Sequence, residues 1–239
     1  MALTFVLTFV LYLLGTSFVA RFDTQWYPLA YSLLVLLIGA TQAWLLLRPQ
    51  RPGAASQAGV EAAAAKPIVS PHWRILPALV VGILGIVLWI FISHLHPEQW
   101  VADWLPGFLK PQPRVGYNPF EEIESPAWRW AFIAFRLLGI AIVVPIAEEL
   151  FWRGFLMRWL IDPEWERVPL GEYTLSSCLT VTLMFTLAHP EWLAAAVYCL
   201  LINGLMYWKR DLWQCIVAHG VSNLALAIYV MLTGAWWLW

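Results

Sequence analysis

Stretches of about twenty mostly apolar residues recur along this chain, and each is long enough to cross a bilayer as a helix. They fall at 3–20, 27–47, 75–93, 137–157, 174–189, 191–208 and 212–232. The spacing therefore predicts an all-α polytopic membrane protein: a bundle of seven transmembrane helices, or eight if "WRWAFIAF" at 128–135 forms its own span. The first stretch lacks a basic leader and a small-residue cleavage site, so it reads as a retained span. Composition agrees, with 12% charged residues where a soluble domain carries about a quarter. Seventeen tryptophans suit a chain with two membrane–water boundaries. A net charge of −1 gives no nucleic-acid footprint. Cys178, Cys199 and Cys215 lie in apolar segments at spacings that fit neither a disulfide framework nor a metal knuckle, and read as buried structural thiols.

Two connections are long. Segment 48–74 contains "PGAASQAGVEAAAAKP", a low-complexity tether, and segment 94–127 is rich in Pro and Trp and reads as interfacial. Its His94 and His96 read as a solvated interfacial pair rather than metal ligands. Orientation follows the basic residues. With the N-terminus in the cytoplasm, inside loops hold Arg48, Arg51, Lys66, Arg74, Arg158, Arg167, Lys209 and Arg210. Outside segments hold Arg21, Lys110, Arg114, Arg129 and Arg136.

Against this apolar background, "VVPIAEELFWRGFLMRW" puts Glu148, Glu149 and Arg153 inside one span. An ionisable group at that depth costs at least about 2.5–3.5 kcal/mol and usually marks a bundle interior or a water-filled cavity. Glu149 and Arg153 stand at i and i+4 with the acid first, the favourable order for a pair on one helix face. Glu148 points about 100° away, with Trp152 rather than a base at i+4. An adjacent negative charge and low dielectric make such a carboxylate more basic, which suits a general base. Elsewhere, "FTLAHPEW" sets His189 at the end of a short span before Pro190, and "CIVAHGVSN" sets His219 and Asn223 on one helix face. Together these residues supply a base, oxyanion donors and an orienting ion pair.

These three clusters, "EELFWR", "FTLAH" and "HGVSN", resemble in identity and order the motifs of the CPBP family, the CAAX prenyl endopeptidase and bacteriocin-processing membrane proteases. "GYNPF" and "VPLGEYT" resemble the bacterial branch found with exosortase protein-sorting systems. The resemblance implies a glutamate-dependent intramembrane endopeptidase with no metal or other cofactor. Glu148, helped by His189, would activate water. His219 and Asn223 would stabilise the oxyanion, and Glu149 with Arg153 would shape the site. It further implies a membrane-associated protein or lipidated tail as substrate, exosortase components as partners, and residence in the bacterial inner membrane. On this reading residues 1–127 carry N-terminal helices and 128–239 form the catalytic membrane domain. Glu191, after the second motif, is expected to face water at a turn.

Two other readings compete. A zinc protease could use two histidines and a glutamate, although no HExxH sequence occurs. A non-enzymatic scaffold or transport partner could keep the buried charges to lock or gate a bundle.

Overall fold

The computed structural model describes residues 2–48, 75–107, 110 and 116–239. Among them no strand occurs, and seven long helices carry the fold. They are α1 (Ala2–Val19), α2 (Tyr27–Leu47), α3 (Leu76–Leu95), α4 (Pro126–Trp159), α5 (Leu175–Leu187), α6 (Trp192–Lys209) and α7 (Leu212–Thr233). The run Leu76–Trp100 that opens with α3, together with α2, α4 and α7, is long and apolar enough to cross a membrane; α1 and α5 contribute shorter apolar helices. The proposed eighth span is absent as a separate element, because 128–135 continues into α4 without a break. Nearly all of the expected tether at 48–74 lies outside the described residues.

Large apolar side chains such as Leu33, Val80, Val87, Leu183, Leu200 and Ile228 point outward. That outward face matches lipid, where helices gain little by hiding leucine and associate instead through close packing and polar contacts. Such contacts join α3 to its neighbours. A Cβ on Gly82 would stand 2.6 Å from the Ala218 carbonyl oxygen of α7, and the Ser222 hydroxyl donates across this seam to the Gly82 carbonyl at 2.8 Å. On the other side of the bundle, α1 packs on α4 through Phe9 and Phe151, whose rings stack with centroids 4.0 Å apart.

Helix α4 is not regular. Residues Gly139–Val143 form a π-helical turn, and Pro145 supplies the cause. Proline has no N–H to return to the preceding turn and crowds the carbonyl four residues back. The helix widens there, and the disturbed carbonyls find partners on other helices. Asn223 of α7 donates to the Ile140 carbonyl at 2.8 Å, and Gln42 of α2 donates to the Val143 carbonyl at 2.8 Å. Gly220 lets α7 approach this turn, since a Cβ there would lie 2.6 Å from the Ala141 oxygen.

Between α5 and α6 the helix stops at Ala188–Glu191, as Pro190 disfavours helix at the residue before it. Glu191 is buried at 7% exposure, against the expectation that it faces water. It precedes the first turn of α6, and its carbonyl accepts from Ala195. A carboxylate at that end complements the helix dipole. In the segment after α3, Trp100 and Trp104 are exposed. Glu98 is buried there and accepts from the Leu193 N–H at 3.3 Å, tying the segment to α6. His94 turns Nδ1 to the Ile90 carbonyl and lies, like His96, against Trp237. No group of metal-competent side chains occurs among the described residues.

Candidate active site

Glu149 and Arg153 are both fully buried, and their ion pair is formed at 3.1 Å. The rest of the guanidinium is occupied as well. Its Nε donates to Asn203 Oδ1 at 3.0 Å, and Nη2 donates to the Cys199 carbonyl and contacts Cys199 Sγ. The ring of Phe185 lies 5.3 Å from Cζ. Asn203 passes the chain of bonds to Thr182 at 3.2 Å, which donates in turn to the Cys178 carbonyl. A buried guanidinium with all these partners escapes most of the penalty for an unpaired charge. One carboxylate oxygen of Glu149 thus serves two groups, because His219 Nδ1 also reaches Oε1 at 2.8 Å. An ionised carboxylate can only accept, so Nδ1 carries the proton and Nε2 is the ring atom left uncommitted.

Glu148, one residue earlier, is 5% exposed, and its Oε2 has no hydrogen-bond partner. It lines a cavity of about 190 Å³ together with His189, His219, Asn223, Tyr198 and Trp89. Water enters such a space only where polar groups receive it, and this cavity has several. His189 donates Nδ1–H to the Phe185 carbonyl at 2.7 Å and stacks on the Phe185 ring at 4.3 Å. That contact fixes the imidazole and leaves Nε2 as an acceptor. The phenylalanine of "FTLAH" therefore aims the histidine with both its backbone and its side chain.

The six residues singled out in the sequence divide into two groups. Glu148, His189, His219 and Asn223 share the cavity wall, while Glu149 and Arg153 lie behind it and hold His219. Asn223 carries a second commitment, since one of its amide hydrogens secures the Ile140 carbonyl. Several polar residues escaped the sequence reading. Asn203 and Cys199 stand at i and i+4 in the apolar run "YCLLINGLMY", and a lone asparagine there signals a buried partner. Tyr198 donates to Ser222 at 3.0 Å beside the cavity, and Tyr12 and Ile86 bring α1 and α3 into its wall. Arg136, assigned by sequence to an outside segment, lies within α4 and lines the same cavity.

Residues 129–225 match the family model described as type II CAAX prenyl endopeptidase Rce1-like. No curated protein and no solved structure matches the chain.

Proposed function

Because residues 129–225 match the type II CAAX prenyl endopeptidase model, we propose that this chain hydrolyses peptide bonds within the bilayer, with Glu148 as the base. The observation that carries the reading is the division of labour between two adjacent glutamates. Glu149 is committed through Oε1 to Arg153 and His219 and does not line the cavity, whereas Glu148 lines it with an unpartnered Oε2.

In this mechanism Glu148 takes a proton from a water that also donates to His189 Nε2. The resulting hydroxide attacks the scissile carbonyl. Negative charge then develops on the carbonyl oxygen, where His219, protonated at Nε2 and held by Glu149, donates together with the second amide hydrogen of Asn223. Glu148 returns its proton to the leaving amine as the tetrahedral species collapses. Donors fixed in advance at the position of developing charge are the strongest device available to such a site, and the ion pair behind His219 fixes one of them.

The donor set speaks against a catalytic zinc here, since a guanidinium 3.1 Å from Glu149 repels a dication at that carboxylate. Activity should accordingly survive a chelator, and elemental analysis should find no stoichiometric metal. The substrate is a membrane-associated protein or lipidated tail. Exosortase components as partners, the bacterial inner membrane and a cytoplasmic N-terminus complete the proposal, resting on the local sequence likeness and the charge bias. Residues 128–239 hold every proposed catalytic group, with α1 and α3 supplying wall. The decisive experiment compares membrane-peptide profiles of cells carrying wild-type chain or Glu148→Gln. Loss of specific cleavage products with an unchanged melting temperature is expected; full turnover by a folded Glu148→Gln protein refutes the assignment.

A further inference from the structure

Both histidines of the proposed site are held by more than hydrogen bonds. His189 follows the end of α5 at Leu187, where the chain is no longer helical. Two of its supports, a carbonyl and a stacked ring, come from Phe185 of that same helix. The third is Trp89 of α3, whose ring stands across the imidazole at 76° with centroids 5.7 Å apart. The same indole meets Tyr198 of α6 at 5.8 Å and 84°. Tyr198 in turn meets the His219 imidazole at 5.7 Å and 68°. The rings thus form one continuous run, His189–Trp89–Tyr198–His219, with a histidine at each end. All four residues line the cavity that holds Glu148.

We propose that Trp89 and Tyr198 are positioning residues, an aromatic bridge that sets His189 and His219 at a fixed distance from each other. The inference rests on the hydrolytic reading, in which His189 orients the attacking water and His219 receives the carbonyl oxygen. Both groups then act on one carbon atom, so their separation must match the substrate closely. A misplacement of about 1 Å in such a site costs on the order of a hundredfold in rate. Yet the two histidines come from different segments, and their ring nitrogens bond to Phe185 and Glu149 rather than to each other. Aromatic rings suit the task of joining them. Edge-to-face pairs are directional, and an aromatic side chain has only two torsions to fix.

Helix α3 seats the bridge. Gly82, Gly85 and Trp89 in "GILGIVLW" stand at i, i+3 and i+7, on one helix face. A Cβ on Gly85 would stand 2.7 Å from the Tyr198 ring, so the glycine lets that ring lie against the helix backbone. The Tyr198 hydroxyl donates to Ser222 at 3.0 Å, and Ser222 donates onward to the Gly82 carbonyl. The tyrosine is therefore held at both ends, its ring by Gly85 and Trp89 and its hydroxyl by Ser222. An indole serving only as a boundary anchor would sit at headgroup level, whereas Trp89 turns to two rings and a polar cavity. Trp89 also lies outside residues 129–225, the segment that matches the family model. A residue of the N-terminal helices thus orders the groups of the proposed catalytic half.

The test reads the rings directly, by nuclear magnetic resonance of the full chain in nanodiscs with nitrogen-15 in its histidine rings. His189→Gln and His219→Gln assign the signals. In wild type each of the two imidazoles should show one Nδ1-protonated form. Trp89→Leu should split or broaden the His189 signals. It should also lower kcat about ten- to a hundredfold with KM unchanged, on a peptide whose cleavage separates wild-type from Glu148→Gln cells. Trp89→Phe, which keeps a ring at the contact, should restore most of both. Tyr198→Leu should disturb both histidines, whereas Tyr198→Phe, which removes only the hydroxyl, should keep His189 ordered. A sharp, single His189 form in a folded Trp89→Leu protein overturns the bridge. So does a higher KM with unchanged kcat, which would make Trp89 a substrate contact. Equal damage by the Leu and Phe substitutions, or failure of both Leu variants to fold, assigns the rings to stability alone and also overturns it. Signals that broaden as expected in a chain with no wild-type turnover keep the ring order and remove the hydrolytic reading instead.

Discussion

Arg153 shows how many partners a single buried side chain can hold without lining the cavity itself. It has no exposed surface, and its partners span the Glu149 carboxylate, the Asn203 amide and the Cys199 backbone. Arg153→Ala should destabilise the protein by about 3–5 kcal/mol, because Glu149 would remain as an unpaired buried charge. Arg153→Lys should restore little of that loss, since an ammonium lacks the planar fork that meets several acceptors at once. Thermal unfolding in detergent checks both variants. Asn223→Ala should act in two registers: about 10²–10³ lower turnover for a lost oxyanion donor, and a lowered melting temperature from the orphaned Ile140 carbonyl, worth about 1–3 kcal/mol. Cleavage rates measured beside melting curves distinguish this double effect from a purely catalytic loss. The Glu149–Arg153 pair was legible in the sequence because i and i+4 on a helix are neighbours whatever the tertiary structure. Asn203 was not, because its role depends on α6 facing α4, a relation that spacing within one helix does not encode.

At the scale of elements, α4 joins stability to geometry through Pro145. The proline is visible in "VVPIAEE" as a helix-interior residue that must disturb its own turn. Whether that disturbance becomes a kink or a π turn depends on who receives the released carbonyls, and Gln42 and Asn223 arrive from 101 and 83 residues away. The seven apolar runs, and the break at Pro190, could likewise be read directly, since bilayer thickness and proline chemistry act locally. The fusion of 128–135 with the following span could not, because a 34-residue helix exceeds the length that membrane thickness demands. Pro145→Ala should restore an N–H, let α4 approach a regular α-helix and turn Glu148 away from its partners. Turnover should drop more than tenfold while the melting temperature holds or rises. A rise in both would separate the π turn from function.

For the whole molecule, the cavity is built by helices from both halves of the chain, with Tyr12 from α1 and Trp89 from α3 beside Glu148 of α4 and His219 of α7. Gly82→Leu on α3, far from the proposed chemistry in sequence, should therefore lower both stability and activity, because its Cβ would meet the Ala218 carbonyl. A melting curve and a cleavage assay on the same preparation measure the two together. The α3–α7 seam also bears on how such a protease is born. Ser222 donates to a carbonyl 140 residues upstream, so at ordinary synthesis rates α3 waits on the order of ten seconds for the helix it needs. Glu148 is inserted in the interval, but His219 is not. On the proposed mechanism, the nascent chain therefore holds Glu148 in the membrane before His219 and Asn223 arrive, and stays latent until α7 enters.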